Sequence, residues 1–219
     1  MNAPVRPIAT ASAVALQKTL STHVRLENDF EPLRTIAGVD VSYDLKRNLT
    51  RAVIVVMDCE ALEPITSVMA FLPTDFPYIP GLLSFREIPA ILKALSCLPE
   101  PPDLLMVDGQ GIAHPRRLGI AAHLGVLTGL PSIGVAKSLL TGRYIEPDTS
   151  RGSTSLLVDK NGQRIGTVLR SRDNVRPLFI SPGHRIDHDS AVAVTLQSLR
   201  GYRLPEPTRI ADKLSKLKL

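Results

Sequence analysis

Four acids stand where carboxylates are chemically useful. Asp40 closes the apolar run of "AGVD" and Asp108 closes "LLMVD". In an α/β sheet, the C-terminal ends of parallel strands collect ligand-binding residues, so two such strands side by side would bring both acids to one edge and let them share a cation. Asp is also a common turn-former and cap after a strand, and adjacency of the two strands is not visible in a sequence. Glu87 shares a helical face with Leu83, Ala90, Ile91 and Ala94. A glutamate on an apolar stripe points at the sheet, and buried acids are rare unless paired or metal-bound; Pro89 threatens that helical phase. Asp212 has Thr208, Ser215 and Lys216 at helical spacing, so a solvated acid near a helix N-terminus explains it equally well. Carboxylates without histidine–cysteine patterning suit a hard ion such as Mg²⁺ or Mn²⁺. Such ions polarise a phosphoryl oxygen and lower the pKa of bound water, the two needs of phosphodiester hydrolysis.

The segment "DGQGIAHPRRLG" (108–119) adds phosphate chemistry. Gly109 and Gly111 permit close backbone approach, and His114, Arg116 and Arg117 offer donors to anionic oxygens. The GxxxxGK[ST] spacing of a Walker loop is absent. Lys137, in "GVAKS", follows an apolar strand at the same presumed edge. In "FPYIPGLLSFRE" (76–87), Pro77 and Pro80 stiffen the backbone around Tyr78. His184 and His188 are four apart, but a helix start is expected between them, which argues against a shared metal.

These groups need a scaffold. The chain has 219 residues, of which 44% are hydrophobic, enough for one buried α/β domain over 1–219, with about the first ten residues expected to be flexible. Lysine and arginine outnumber acids 26 to 21, which suits a polyanionic partner. No apolar run approaches the roughly 18–20 residues of a membrane span, and the N-terminus is a poor secretory signal, so a cytoplasmic location is expected. The isolated Cys59 and Cys97 read as buried free thiols. Strands are expected over 35–43, 51–59, 65–71, 103–108, 131–136, 154–158, 164–170 and 177–180. Helices are expected over 11–24, 83–97, 118–129, 188–200 and 208–218. Short connections make the first three strands antiparallel, with crossover units and parallel strands following.

The strings "AGVDVSY", "FPYIPGLLSFRE", "VDGQGIAHPRRLGIAAHLG", "IGVAKSLL", "SPGH" and "PEPTR", in that order, closely resemble the endonuclease V family over about residues 35–212. The resemblance implies a ribonuclease H-like mixed sheet flanked by helices. It implies a DNA-repair nuclease acting on deaminated bases, chiefly deoxyinosine, which cleaves the second phosphodiester bond on the 3′ side and leaves 3′-hydroxyl and 5′-phosphate ends. It further implies dependence on Mg²⁺, with Mn²⁺ able to substitute. By motif, Asp40, Asp108 and Glu87 match the acids of the metal site, and Asp212 stands where some relatives carry histidine. His114 and Lys137 match positions beside the scissile phosphate, with Arg116 and Arg117 as further phosphate contacts. Tyr78 matches the wedge that fills the gap left by the displaced base, and Gly81, Leu83, Gly109 and Ile120 match the pocket that receives it. Base extrusion costs a few kcal/mol, least for a mispaired base, and a rigid aromatic wedge offsets that by stacking.

Two alternatives stand beside this reading. One keeps the chemistry and moves the substrate to inosine-containing RNA. The other is a catalytically silent nucleic-acid-binding module, against which the retained Asp40, Glu87 and Asp108 speak. A monomer without membrane attachment is expected in each case.

Overall fold

The computed structural model describes residues 9–217. The stretch expected to be flexible lies mostly outside these, and Thr10 already opens the first helix, α1 (Thr10–Ser21). Three long strands follow: β1 (Thr35–Asp44), β2 (Leu49–Asp58) and β3 (Pro64–Pro73). Each turn between them is tied by an aspartate at the end of the preceding strand. The Asp44 carboxylate accepts from the backbone N–H groups of Lys46 and Arg47 at 3.0 and 3.1 Å. Asp58 does the same for Glu60 and Ala61 at 2.9 and 2.7 Å, the side-chain-to-backbone closure that favours Asp in turns. The three strands form an antiparallel meander.

Helix α2 (Leu83–Leu95) leads into β4 (Leu104–Val107), and α3 (Ile120–Thr128) crosses to β5 (Ser132–Ala136). Gly129 ends α3 in the left-handed conformation at φ 71°, as a C-terminal glycine does. Then come β6 (Thr154–Val158), β7 (Arg164–Leu169), β8 (Leu178–His184), α4 (His188–Gln197) and α5 (Glu206–Ser215). All eight strands join one sheet in the order β3-β2-β1-β4-β5-β8-β7-β6. The mixed sheet flanked by helices is therefore as expected. Parallel pairing, however, is confined to β1, β4 and β5; the later strands β8, β7 and β6 pair antiparallel, because no crossover helix separates them and β6–β7 is a hairpin.

Side chains alternate between two cores. Ile36, Val53, Met57 and Met106 pack under α4 and α5 with Ala191 and Ala211. Ala37, Ile54, Leu105 and Val107 pack under α2 and α3 with Ile88, Ile91 and Leu124, the period-2 pattern of a sheet covered on both faces. Pro89 lies inside α2 without ending it. A proline in a helix interior costs about 3 kcal/mol. Burying Ile88 and Ile91 contributes roughly 1.5–3 kcal/mol each, so packing keeps the helix and its phase intact. Helix α5 approaches β1 closely because residue 38 is glycine: a Cβ there would lie 1.9 Å from the Pro207 carbonyl oxygen.

Among the described residues, no helix is long and apolar enough to cross a membrane. The thiols differ from expectation: Cys59 is half-buried, and Cys97, in the turn beyond α2, is exposed.

Candidate active site

The register Val39↔Val107 between β1 and β4 puts the next residues of both strands, Asp40 and Asp108, side by side. The Asp108 N–H donates to the Val39 carbonyl at 3.0 Å. Lys137 follows the end of the adjacent parallel strand, β5. The third acid comes from α5. Oxygens of Asp40, Asp108 and Asp212 all lie within 4.8 Å of one another. Asp212 is neither solvated nor at a helix start, because α5 begins at Glu206 and carries this residue back over the sheet edge.

Two ammonium groups balance part of this charge. Lys137 Nζ contacts Asp108 and lies 2.5 Å from Asp212 Oδ1; Lys216 Nζ lies 2.6 Å from Asp212 Oδ2. Burial pushes the Asp212 carboxyl up, but hydrogen bonds from Lys137 and Lys216 outweigh it and hold the group below the ordinary range. Burial likewise acts to lower the Lys137 pKa, and Asp108 and Asp212 reverse that. Asp40 lacks such a partner. Burial, aided by the Asp108 carboxylate, raises it to about 7, although the Ser215 hydroxyl donates to it. Ser215 is held in turn, its carbonyl accepting from Ser42 Oγ at 2.6 Å.

Glu87 faces the same cleft but outside the three-acid cluster. It is 7% exposed, and Tyr43 Oη donates to its Oε1 at 2.6 Å. The Arg86 guanidinium lies 4.5 Å from the centre of the Tyr43 ring. Burial first, then the Asp40 and Asp108 charges, raise Glu87 to about 7, against the lowering effect of Tyr43. The buried-acid reasoning thus located Glu87 correctly in space, whereas Tyr43 and Ser215 had no sequence signal beyond their spacing.

Beside the acid cleft opens a second cavity of about 380 Å³, with Tyr78, Gly81, Leu83, Gly109 and Ile120 all on its wall. Tyr78 is 69% exposed at its lip. The segment carrying it is held at both ends: Arg86 donates to the Phe76 carbonyl at 2.9 Å, and three donors converge on the Gly81 carbonyl. These are His114 Nε2 at 3.0 Å, Arg116 Nη2 at 2.7 Å and Gln17 Nε2 at 3.0 Å. Gly81 has φ +78°, and a Cβ there would lie 2.9 Å from Arg116, so glycine satisfies both backbone and space.

The carbonyl can only accept, so His114 carries its proton on Nε2, while its Nδ1 accepts from the Arg116 N–H at 3.1 Å. Burial, then Arg116, lower this imidazole to about 4. It is a neutral tie with both nitrogens engaged. Arg116 contacts Gln17 and the Gly81 carbonyl, and Arg117, one-third exposed, pairs with Asp159 at 2.6 Å. His184 ends β8 and His188 begins α4. Gln17 was not singled out in the sequence; a lone glutamine in an alanine-rich helix looks like surface.

The family model described as Endonuclease V matches residues 18–213. The chain belongs to the endonuclease V family. An endonuclease V of Azotobacter vinelandii is 52% identical over 205 residues, covering 94% of this chain and 92% of that one. The crystal structure of endonuclease V from Streptomyces avermitilis superposes with a TM-score of 0.91 at 46% identity, covering 96% and 93% of the two chains. That of Ciona intestinalis endonuclease V, in complex with a 24mer DNA containing an inosine followed by a ribo-adenosine, superposes with a TM-score of 0.83 at 25% identity, covering 94% and 95%.

The chain is thus a nuclease of a metal-dependent family. Its residues fit that requirement: the donor set is all carboxylate, from three separate parts of the chain, and burial, aided by the Asp108 charge, raises Asp40, a penalty that a bound cation would relieve. Oxygens of Asp40, Asp108 and Asp212 lie close enough together that these three residues could hold a metal ion.

Proposed function

We propose that this nuclease recognises deaminated bases, chiefly deoxyinosine in DNA, and hydrolyses the second phosphodiester bond on the 3′ side, leaving 3′-hydroxyl and 5′-phosphate ends, with Mg²⁺ as the working ion and Mn²⁺ able to replace it. One observation carries the reading. The acid cleft and the glycine-walled cavity share Leu83, Asp108, Ile120 and Lys137 as a common wall. A base held in one cavity leaves its own strand running past the other.

The roles follow from placement. Tyr78 enters the stack, and its proline-stiffened segment limits the ordering entropy lost on binding. Gly81, Leu83, Gly109 and Ile120 receive the extruded base. Asp40, Asp108 and Asp212 hold the ion, with Glu87 beside them as a carboxyl that can accept or return a proton near neutral pH. Lys137, in contact with Asp108 and Asp212, is the cation that would stabilise phosphate charge beside the acids. The bound ion supplies a polarised phosphoryl oxygen and a more acidic water. His114, through Gly81, keeps the base cavity in register with the cleft.

The DNA in the Ciona intestinalis complex carries a ribo-adenosine after the inosine, so an RNA substrate remains a second reading. Strand-matched DNA and RNA oligonucleotides, with and without inosine, separate the two. With Mg²⁺, inosine DNA is cut faster than the other three strands, and EDTA abolishes cutting. Equal cutting of inosine and adenosine DNA would sink the lesion reading; faster cutting of inosine RNA would move it to RNA.

A further inference from the structure

Gln17 is the one polar side chain on the buried face of α1, at 1% exposure; the other buried residue there is Ala13. Helix α1 packs on the loops around the base cavity: Ala13 clusters with Phe76 and Leu82, and Leu20 and Val24 with Ile112 and Leu118. The helix therefore bridges the segment that carries Tyr78 and the segment that carries His114 and Arg116.

Within that bridge the orientation of the Gln17 carboxamide is determined by chemistry. Arg116 has no acceptor, so the atom facing its Nε at 2.5 Å is Gln17 Oε1. That leaves Nε2 to donate to the carbonyls of Gly81 at 3.0 Å and Leu118 at 3.4 Å. One side chain thus accepts from Arg116 and donates to both loops. Arg116 itself donates to Gly81, which closes a ring of contacts through three segments distant in sequence. An apolar residue of similar size would fill the space and make none of them.

We infer that Gln17 is a positioning residue for base capture, coupling the Tyr78 segment to the His114–Arg116 loop so that the base cavity is formed before nucleic acid arrives. The inference rests on the proposed base-recognition reading. The hydrogen-bond partners of Gln17, namely Gly81, Leu118 and Arg116, lie outside the acid cleft, so its loss acts on engagement of the base and spares bond cleavage.

The test compares Gln17→Met with the wild type on inosine and adenosine DNA under Mg²⁺. Expected are a KM for the inosine strand about tenfold higher, a kcat within twofold, and reduced preference for inosine over adenosine. Gln17→Glu keeps the acceptor for Arg116 and removes the donor to Gly81; it is expected to show the same pattern at about threefold, and it carries the comparison if Gln17→Met does not fold. An unchanged KM and preference, or a kcat that falls while KM stays constant, overturns the inference. A wild type that cuts inosine and adenosine strands alike overturns the base-recognition reading and this inference with it. A wild type that discriminates, beside variants that discriminate equally well, overturns the inference alone.

Discussion

The acid cleft and the base cavity share a wall but are built on opposite principles. The cleft is made of ionisable side chains from β1, β4, α2 and α5, and its charges are in tension: Asp40 and Glu87 are raised to about 7 while Asp212 is held low by two lysines. The cavity is made largely of backbone, glycine and apolar side chains, and His114 and Arg116 beside it serve as ties. His114 is neutral, and Arg116 is spent on carbonyls. A cleft of frustrated charge is poised to accept a cation. A cavity whose wall is tied to the Gly81 carbonyl by His114, Arg116 and Gln17 is poised to keep its shape. Function needs both, and variants should separate them.

The largest effect is expected at Asp108, among the described residues the only acid on the wall of both cavities. Asp108→Ala removes a carboxylate from the cluster and is expected to slow cleavage of inosine DNA about a thousandfold, roughly 4 kcal/mol of lost transition-state stabilisation. Affinity for the same duplex, measured by anisotropy, should stay within about threefold. Undiminished cleavage would remove Asp108 from the metal site. Asp212→Ala is expected to cost less, about a hundredfold, because Asp40 and Asp108 remain. Asp212→His, which still offers a ligand atom, should restore part of that loss. A histidine variant no better than alanine would mean that Asp212 acts only as a partner of Lys137 and Lys216.

The same division explains what was legible in the sequence. Strands such as "DLLMVD" announce themselves by unbroken apolar residues, and Asp40 and Asp108 were readable as a pair because both end such runs. Glu87 was readable because an acid on an apolar stripe is anomalous. Asp212 was not, since its convergence depends on where α5 starts and on Gly38 admitting the helix against β1. The ties of Arg116 to Gly81 and of Arg117 to Asp159 were not readable either, because residue type does not say which way a guanidinium turns. Gln17 and the Ser84–His123 pair, hydrogen-bonded at 2.9 Å, were invisible for a related reason: a buried polar group is recognised only through its partner, and these partners lie far away in sequence.

On the cavity side, Tyr78→Ala should invert the Asp108→Ala phenotype. Base–aromatic stacking is worth about 1–3 kcal/mol, so the dissociation constant for inosine duplex should rise about tenfold or more. Single-turnover cleavage at saturating enzyme should fall less than about threefold. Unchanged affinity would count against the wedge, because a ring 69% exposed contributes little packing whose loss would be felt elsewhere.

The smallest effect concerns pH, and here the two regions pull in opposite directions. The buried His123 imidazole behind the cavity is lowered by burial to about 4, below the ~6.5 of an unfolded histidine. Between these values the unfolded chain binds the proton and the folded chain does not. The contribution of His123 to stability is therefore complete above pH ~6.5 and is lost as pH falls towards 4, with a slope of at most about 1.4 kcal/mol per pH unit. Asp40 and Glu87, raised to about 7, have the opposite sign, since they hold protons in the folded state that the unfolded chain has released. Wild-type stability alone thus mixes the two regions, and the difference between variants resolves them. Denaturant midpoints of wild type and His123→Gln in EDTA should draw closer as pH drops from 7 to 5, because glutamine keeps a partner for Ser84 and has no proton to bind. Parallel curves over that range would show that the folded state does not lower the His123 pKa.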